Sequence, residues 1–206
     1  MTTGSDVVSF ARQSWAGLRV LLVLTVLLGL AYPLAVTGVS QLLFRWQANG
    51  SLVDASGGRV TSADDAAGSL LVGQSFDGPQ WFHPRPSAAG DGYDALASGG
   101  SNLGPLNRTL VTTIEERRAA VASLENVDPA DVPADAVTAS ASGLDPDISP
   151  AYAHLQAARV ARENGVSVAS VEALVERLTV GRDLGFLGEP RVNVLRLNLG
   201  LQTMGS

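Results

Sequence analysis

The chain contains no cysteine and no lysine. Without thiols it can form no disulfide, no thiolate nucleophile and no Cys-based zinc or iron–sulfur site. Without lysine there is no phosphate loop of the Gly-x4-Gly-Lys-Ser/Thr kind, and all fourteen basic residues are arginines. Twenty carboxylates outnumber them, for a formal charge of -6. A phosphate-tracking surface needs clustered positive charge, so nucleic acid is excluded as a partner. Histidine is scarce too, with only His83 and His154. A Gly-x-Ser-x-Gly nucleophile elbow, an HExxH zinc helix and an EF-hand loop are all absent. Gly181, Gly185 and Gly188 lack dinucleotide-binding spacing and read as turn formers.

Apolar residues are abundant but unevenly placed. From Val20 to Phe44 nothing is charged: "VLLVLTVLLGLAYPLAVTGVSQLLF". As a helix this run spans roughly 37 Å, enough to cross a hydrocarbon core of about 30 Å with some tilt. A secretory h-region is shorter, about 7 to 15 residues, and ends in a small-residue cleavage site, so the run reads as an uncleaved signal anchor. Arg12 and Arg19 precede it, while the chain from Trp46 onward holds 19 acidic and 11 basic residues. The positive-inside rule then puts the amino terminus in the cytoplasm. Residues 1–17 read as a short cytoplasmic tail, 18–44 as the transmembrane helix and 45–206 as one extracytoplasmic domain. Pro33 crowds the carbonyl of Gly29 and predicts a kink. Ala31, Ala35 and Gly38 share one face, the small-residue pattern that lets transmembrane helices approach closely.

Beyond the span, 46–68 predicts turns and a small hairpin, and "SLLVGQSF" at 69–76 a buried strand. The aperiodic run 77–104 is long for a compact domain, which marks it as functional or disordered. Trp81, Phe82 and Tyr93 argue for order, because they can bury large areas. Leu106, Leu110, Ile114, Val121 and Leu124 recur at helical spacing, with Glu115 to Arg118 on the other side. That helix ends near Asn126, and Val137 to Ala141 reads as a short strand. Ser149-Pro150 is an N-cap and first-turn signal, Gly165 a stop, and Ser167 the cap of a third helix. Val192, Val194, Leu195, Leu197 and Leu199 predict a half-buried terminal strand. The fold class is α+β: a single N-terminal transmembrane helix followed by one mixed domain.

In "ASASGLDPDISP" (139–150), Asp145 and Asp147 are either a paired-carboxylate site or the start of a helix. Asp-Pro initiates turns, and negative charge ahead of a helix interacts favourably with its dipole. Calcium would require six to eight oxygens, and this segment supplies few. The structural reading is therefore preferred, with a subunit or ligand contact next. On residues alone, a membrane-anchored hydrolase using a histidine and a stand-alone solute-binding protein also remain open.

The blocks "LLGLAYPLAVTGVSQLLF", "QANGSLV", "FHPRPSAAGDGYDALASGGSNLGPLN", "VTASASGLDPDISPAYAHLQAARVARENGVS" and "GRDLGFLGEPRVNVLRLNLGL" occur in this order. Together they resemble the KdpC family, the C subunit of the Kdp-type potassium-transporting P-type ATPase. The resemblance implies a noncatalytic, single-span accessory subunit in the cell membrane of a bacterium. Its partners would be a channel-like potassium-binding subunit, an ATP-hydrolysing P-type subunit and a small single-span subunit. Stabilisation of assembly and a catalytic-chaperone effect, raising the ATP affinity of the hydrolysing subunit, are implied as well. No cofactor or metal is implied for the chain itself, and any ATP contact is made through the complex. A comparison of the family with ABC transporters rests on a Ser-Gly element, for which "ASGGSN" (97–102) and "SASG" (140–143) are the candidates; such clusters are common in turns and only weakly indicate a backbone anion nest. The candidate subunit or ligand contacts are thus Ala31, Ala35, Gly38, Arg85, Ser87, Ser98, Ser101, Asn102, Ser142, Asp145 and Ser149. Asp147 stands where the family often has His, and Asp94 where Asn is frequent.

Overall fold

The computed structural model describes residues 3–204. These fall into two compact units that divide after Asn49. In the first, α1 (Thr3–Val26) passes through one wide π-helical turn (Leu27–Ala31) into α2 (Tyr32–Leu43) and then the short α3 (Arg45–Ala48). The wide turn has a local cause. Pro33 has no amide hydrogen, and its ring would crowd the carbonyl four residues back. Widening the turn lets the Tyr32 amide donate to Leu27 O, five residues back, just ahead of the proline. The stretch Asp6–Leu43 is long and apolar enough to cross a membrane. Helix starts at Thr3, so the part of the expected tail that the structure describes is helical, and no break separates it from the apolar run. Asn49 closes the unit by donating from Nδ2 to Arg45 O (2.6 Å) and Gln41 Oε1 (3.1 Å).

In the second unit, β1 (Leu52–Val53) pairs antiparallel with β2 (Gly68–Ser69). Next come α4 (Arg108–Glu125), a 3-10 turn (Pro129–Asp131), α5 (Ala134–Val137), β3 (Asp147–Ile148), α6 (Pro150–Asn164), α7 (Val168–Leu178), β4 (Thr179–Val180), β5 (Arg191–Asn193) and α8 (Val194–Gln202). The antiparallel sheet order is β3-β5-β4, which sets Ile148 and Thr179 on either side of Val192. The cap signals act as their chemistry requires: Ser149 Oγ accepts from the Tyr152 amide (3.0 Å) and Ser167 Oγ from the Ser170 amide (3.1 Å). Gly165 ends α6 at φ +67°. The core gathers Ala153, Ala157 and Val160 of α6, Val171, Leu174 and Val175 of α7, and Leu197 and Leu201 of α8 around Ile148 and Val192. Each fully buried Val, Leu or Ile side chain stabilises by about 1.5–3 kcal/mol before chain entropy is counted.

Three expected strands are corrected. Over 69–76 only Ser69 is in a strand; the chain then turns so that the Gly73 amide donates to Leu144 O (2.8 Å). Val137 ends a helical turn and is not the start of a strand, and Thr138 Oγ1 closes that turn on Ala134 O (2.7 Å). The terminal strand stops at Asn193, whose Oδ1 accepts from the Arg196 amide (3.1 Å) and caps α8. Val194, Leu197 and Leu201 are buried at helical spacing, and the apparent alternation concealed it. On α4 the buried face also differs: Leu106 precedes the helix and is exposed, Leu124 is 41% exposed, and Glu125 is buried.

The run 77–104 contains no helix or strand, yet its first third is held backbone atom by backbone atom. Asn198 accepts from the Phe82 amide (2.8 Å) and donates to Phe82 O (3.0 Å). Gln156 does the same for His83 (2.7 and 3.1 Å). Asn164 donates to Gln80 O (2.8 Å), and Arg159 to Trp81 O (2.9 Å) and Pro79 O. Side chains of α6 and α8 thus supply the partners that a neighbouring strand would otherwise supply. Phe82 is fully buried as a result. Arg159 is itself held by the Glu125 carboxylate (2.9 and 3.1 Å), an ion pair with both side chains 1% exposed. Burial pushes the Glu125 carboxyl above its usual range, and the Arg159 charge opposes that rise.

Candidate functional site

Two arrangements collect most of the candidate residues. The first is a junction between the two Ser-Gly segments. Ser98 Oγ donates to Ser142 O (2.9 Å), as does the Gly99 amide (2.9 Å). Ser87 Oγ donates to Gly143 O (2.6 Å) and accepts from the Ala89 (3.1 Å) and Tyr93 (2.8 Å) amides. Ser142 Oγ accepts from the Leu144 amide (3.1 Å), and Ser140 Oγ from that of Asp145 (3.3 Å). Gly143 sits at φ +68°, where a Cβ would come within 2.7 Å of the Ala89 nitrogen and 2.8 Å of Gly99 O. Only glycine permits so close an approach. Within the junction the Gly99, Gly143, Leu144 and Asp145 amides therefore already have partners inside the protein. Ser101 and Asn102 lie outside it and are exposed.

The second arrangement is an open hollow of about 460 Å³, lined among others by Arg85, Asp145, Asp147, Ser149, Glu189 and Arg191. Arg85 Nη1 donates to Asp145 Oδ2 (2.9 Å), while Asp145 Oδ1 accepts from the Asp147 amide (3.1 Å) and shapes the Asp-Pro-Asp turn. Asp147 lies in β3, opposite Asn193. Its Oδ1 accepts from Asn193 Nδ2 (3.1 Å), and its Oδ2 lies 3.5 Å from Arg191 Nε. Burial pushes the Asp147 carboxyl upward, the Asn193 bond opposes this, and the Asp145 charge adds to it. The carboxylate serving the start of α6 is instead Asp135, which accepts from the Ser149 amide (2.7 Å) and Oγ (2.9 Å). Assigning Asp147 to the helix start is thus corrected, because the strand pairing of β3 with β5 turns it toward Asn193. Among the described residues no group of three or more acidic or histidine side chains is placed to hold a metal.

The remaining candidates stand apart. His83 Nε2 donates to Gly78 O (2.9 Å), and burial lowers its proton affinity. His154 Nε2 meets Glu176 Oε1 at 3.1 Å on an exposed surface. Ala31, Ala35 and Gly38 are exposed in the first unit, and a Cβ at Gly38 would meet nothing within 4 Å. Glu125, Asp135, Gln156, Arg159, Arg191, Asn193 and Asn198 carry much of the construction, yet nothing in the sequence pattern singles them out. Many of their partners are distant in the chain, as far as 123 residues for Asn193 and Leu70.

The resulting class is an accessory chain, an α+β domain of paired charges and docked loops that follows, among the described residues, one helix of membrane-crossing length. A family model described as "KdpC: K+-transporting ATPase, c chain" matches residues 14–203, and the chain belongs to that family. It is 55% identical over 192 residues to the potassium-transporting ATPase KdpC subunit of Kineococcus radiotolerans, covering 93% of this chain and 94% of the relative. Identity to the KdpC subunit of Beijerinckia indica is 56% over 182 residues, 88% of each chain. With that of Mycobacterium tuberculosis it is 53% over 195 residues, covering 94% and 99%.

Proposed function

We propose that the chain is the single-span accessory subunit of an ATP-driven potassium importer in a bacterial cell membrane. It stabilises assembly with a channel-like potassium-binding subunit, an ATP-hydrolysing subunit and a small single-span subunit. The helix crosses the membrane once at about residues 18–44, with the amino terminus in the cytoplasm and the domain from residue 45 outside. The apolar run and the arginines ahead of it support this orientation. A rise in ATP affinity of the hydrolysing subunit is then conveyed through the assembled complex. The observation that carries this preference is the Ser-Gly junction, in which the Ser87 and Ser98 hydroxyls and the Gly99 amide are already bonded to the carbonyls of Ser142 and Gly143, as a packing contact between the two segments requires. Ser87, Ser98 and Ser142 act there as structural pins. Arg85, Asp145 and Ser149 shape the hollow, and Ala31, Ala35 and Gly38 form the helix contact within the membrane.

The test compares the purified chain with the purified complex. The chain alone should neither bind nor hydrolyse ATP, whereas complex prepared without it should fall apart or need more ATP for half-maximal hydrolysis. Tight ATP binding by the isolated chain would overturn the indirect route. A reporter active only outside the cytoplasm, fused after Ser206, should be active; activity only of a cytoplasmic reporter would reverse the orientation.

A further inference from the structure

Between β4 and β5 the chain "GRDLGFLGEP" (181–190) projects three large apolar side chains into solvent. Leu184, Phe186 and Leu187 are 83%, 69% and 49% exposed. The segment is nonetheless tightly built. The Asp183 amide donates to Leu187 O (2.8 Å) and the Leu187 amide to Asp183 O (2.9 Å), while the Gly185 amide bonds to Arg182 O (3.1 Å). Arg182 and Glu189 pair across its neck at 2.7 Å, and Arg191 reaches Asp183 at 3.4 Å. Leu184 itself adopts φ +54°, a region that branched side chains seldom occupy. A rigid finger of this kind presents its side chains in set positions, so little ordering entropy is lost when it is covered.

We propose that this finger docks into an apolar socket with a basic rim on another protein subunit of the potassium-transporting ATPase. The inference rests on the reading of the chain as a subunit of that complex. Charge selects the occupant. At the finger, Arg182 and the adjoining Arg191 of β5 balance Asp183 and Glu189, but the hollow at its base adds Asp135, Asp145 and Asp147 against Arg85 alone. The surroundings are net negative, which disfavours insertion among anionic lipid headgroups and favours a rim carrying Arg or Lys. A second copy of the chain would bring the same net-negative surroundings against this place, and like charge across the contact disfavours that pairing.

The experiment uses the whole complex in membranes. A benzophenone-bearing phenylalanine analogue replaces Phe186 and is irradiated before solubilisation. The expected adduct joins this chain to another ATPase subunit, identified by its mass and tryptic peptides. Phe186→Ser combined with Leu187→Ser should reduce recovery of the partner subunits by about tenfold or more, as for loss of hot-spot side chains. Because both residues are exposed, thermal unfolding of the double variant should match that of the parent, which separates lost docking from lost folding. An adduct only to lipid or to a second copy, no adduct, or full recovery of partners with the double variant, each overturns the proposal. If the unmodified chain copurifies with the ATPase subunits while position 186 gives no adduct, the finger is wrong and the subunit reading stands. Failure of the unmodified chain to copurify would sink both.

Discussion

Arg159→Met tests how the domain is held together, because it removes the guanidinium and keeps most of the apolar stem. The parent residue makes two bonds to Glu125 (2.9 and 3.1 Å), one to Gln156 (2.9 Å) and two to loop carbonyls. The substitution leaves a carboxylate that is 1% exposed without its counter-charge. Breaking a buried pair from one side costs about 3–5 kcal/mol, against a total stability of about 5–15 kcal/mol. Each stranded carbonyl adds to the loss, as buried unsatisfied groups do. Unfolding by urea, followed through Trp81 in a chain whose Trp15 and Trp46 are replaced by Phe, should show this deficit at neutral pH. The pH dependence carries the diagnosis. Burial already holds the Glu125 carboxyl above its ordinary value of 4.5, and removing Arg159 raises it further. A raised folded-state value means that stability from this group is fully present below about 4.5 and is lost as pH rises through the folded value. The deficit of Arg159→Met should therefore be smallest below about pH 4.5 and grow as pH rises toward neutrality. Adding Glu125→Gln should recover part of it at pH 7, but not all, because the loop carbonyls remain unpaired. A deficit below about 1 kcal/mol, or one that does not change with pH, would refute the assignment of this pair as the anchor of the 79–83 loop.

Other substitutions probe separate parts of the construction. Ser149→Ala should cost about 0.5–2 kcal/mol in thermal unfolding, the usual range for an N-cap. Asp135→Ala should cost about 1–3 kcal/mol, since it strands the Ser149 amide. Gly143→Ala should destabilise by about 1–3 kcal/mol through its positive φ and its contact with Ala89, and limited proteolysis should cut 97–102 sooner. Asp147→Asn should be close to neutral in stability at pH 7 and leave potassium uptake intact where the complex assembles. Because burial raises the parent carboxyl above its ordinary 3.8, its contribution falls as pH rises through the folded value, and the asparagine should flatten that slope in denaturation curves.

The apolar run, the proline inside it, the Ser149 and Ser167 caps and the Gly165 stop were legible because each depends on a few adjacent residues. Hydrogen-bond loss at Pro33 and capping by a serine hydroxyl act over one helical turn, so spacing alone exposes them. The true course of 69–76, 137–141 and 192–199, expected as strands, was not legible, because short apolar runs satisfy helical and extended periods alike until their neighbours are known. In the last of these, Asn193 decides the outcome by capping α8, and the buried side chains then follow a helical period. Family membership was also readable from ordered sequence blocks. What only the tertiary structure decided is where the polar groups find partners. Asp135 holds Ser149, Asn193 holds Asp147, and Asn198, Gln156 and Arg159 hold the backbone of residues 79–83. A carboxylate or amide looks the same in sequence whether solvated or buried, and burial becomes affordable only when a partner far along the chain is brought within 3 Å or so. The finger at 184–187 is the converse case. The glycines around it read as turn formers, and the exposure of its large apolar side chains was set only by the packing of β4 and β5.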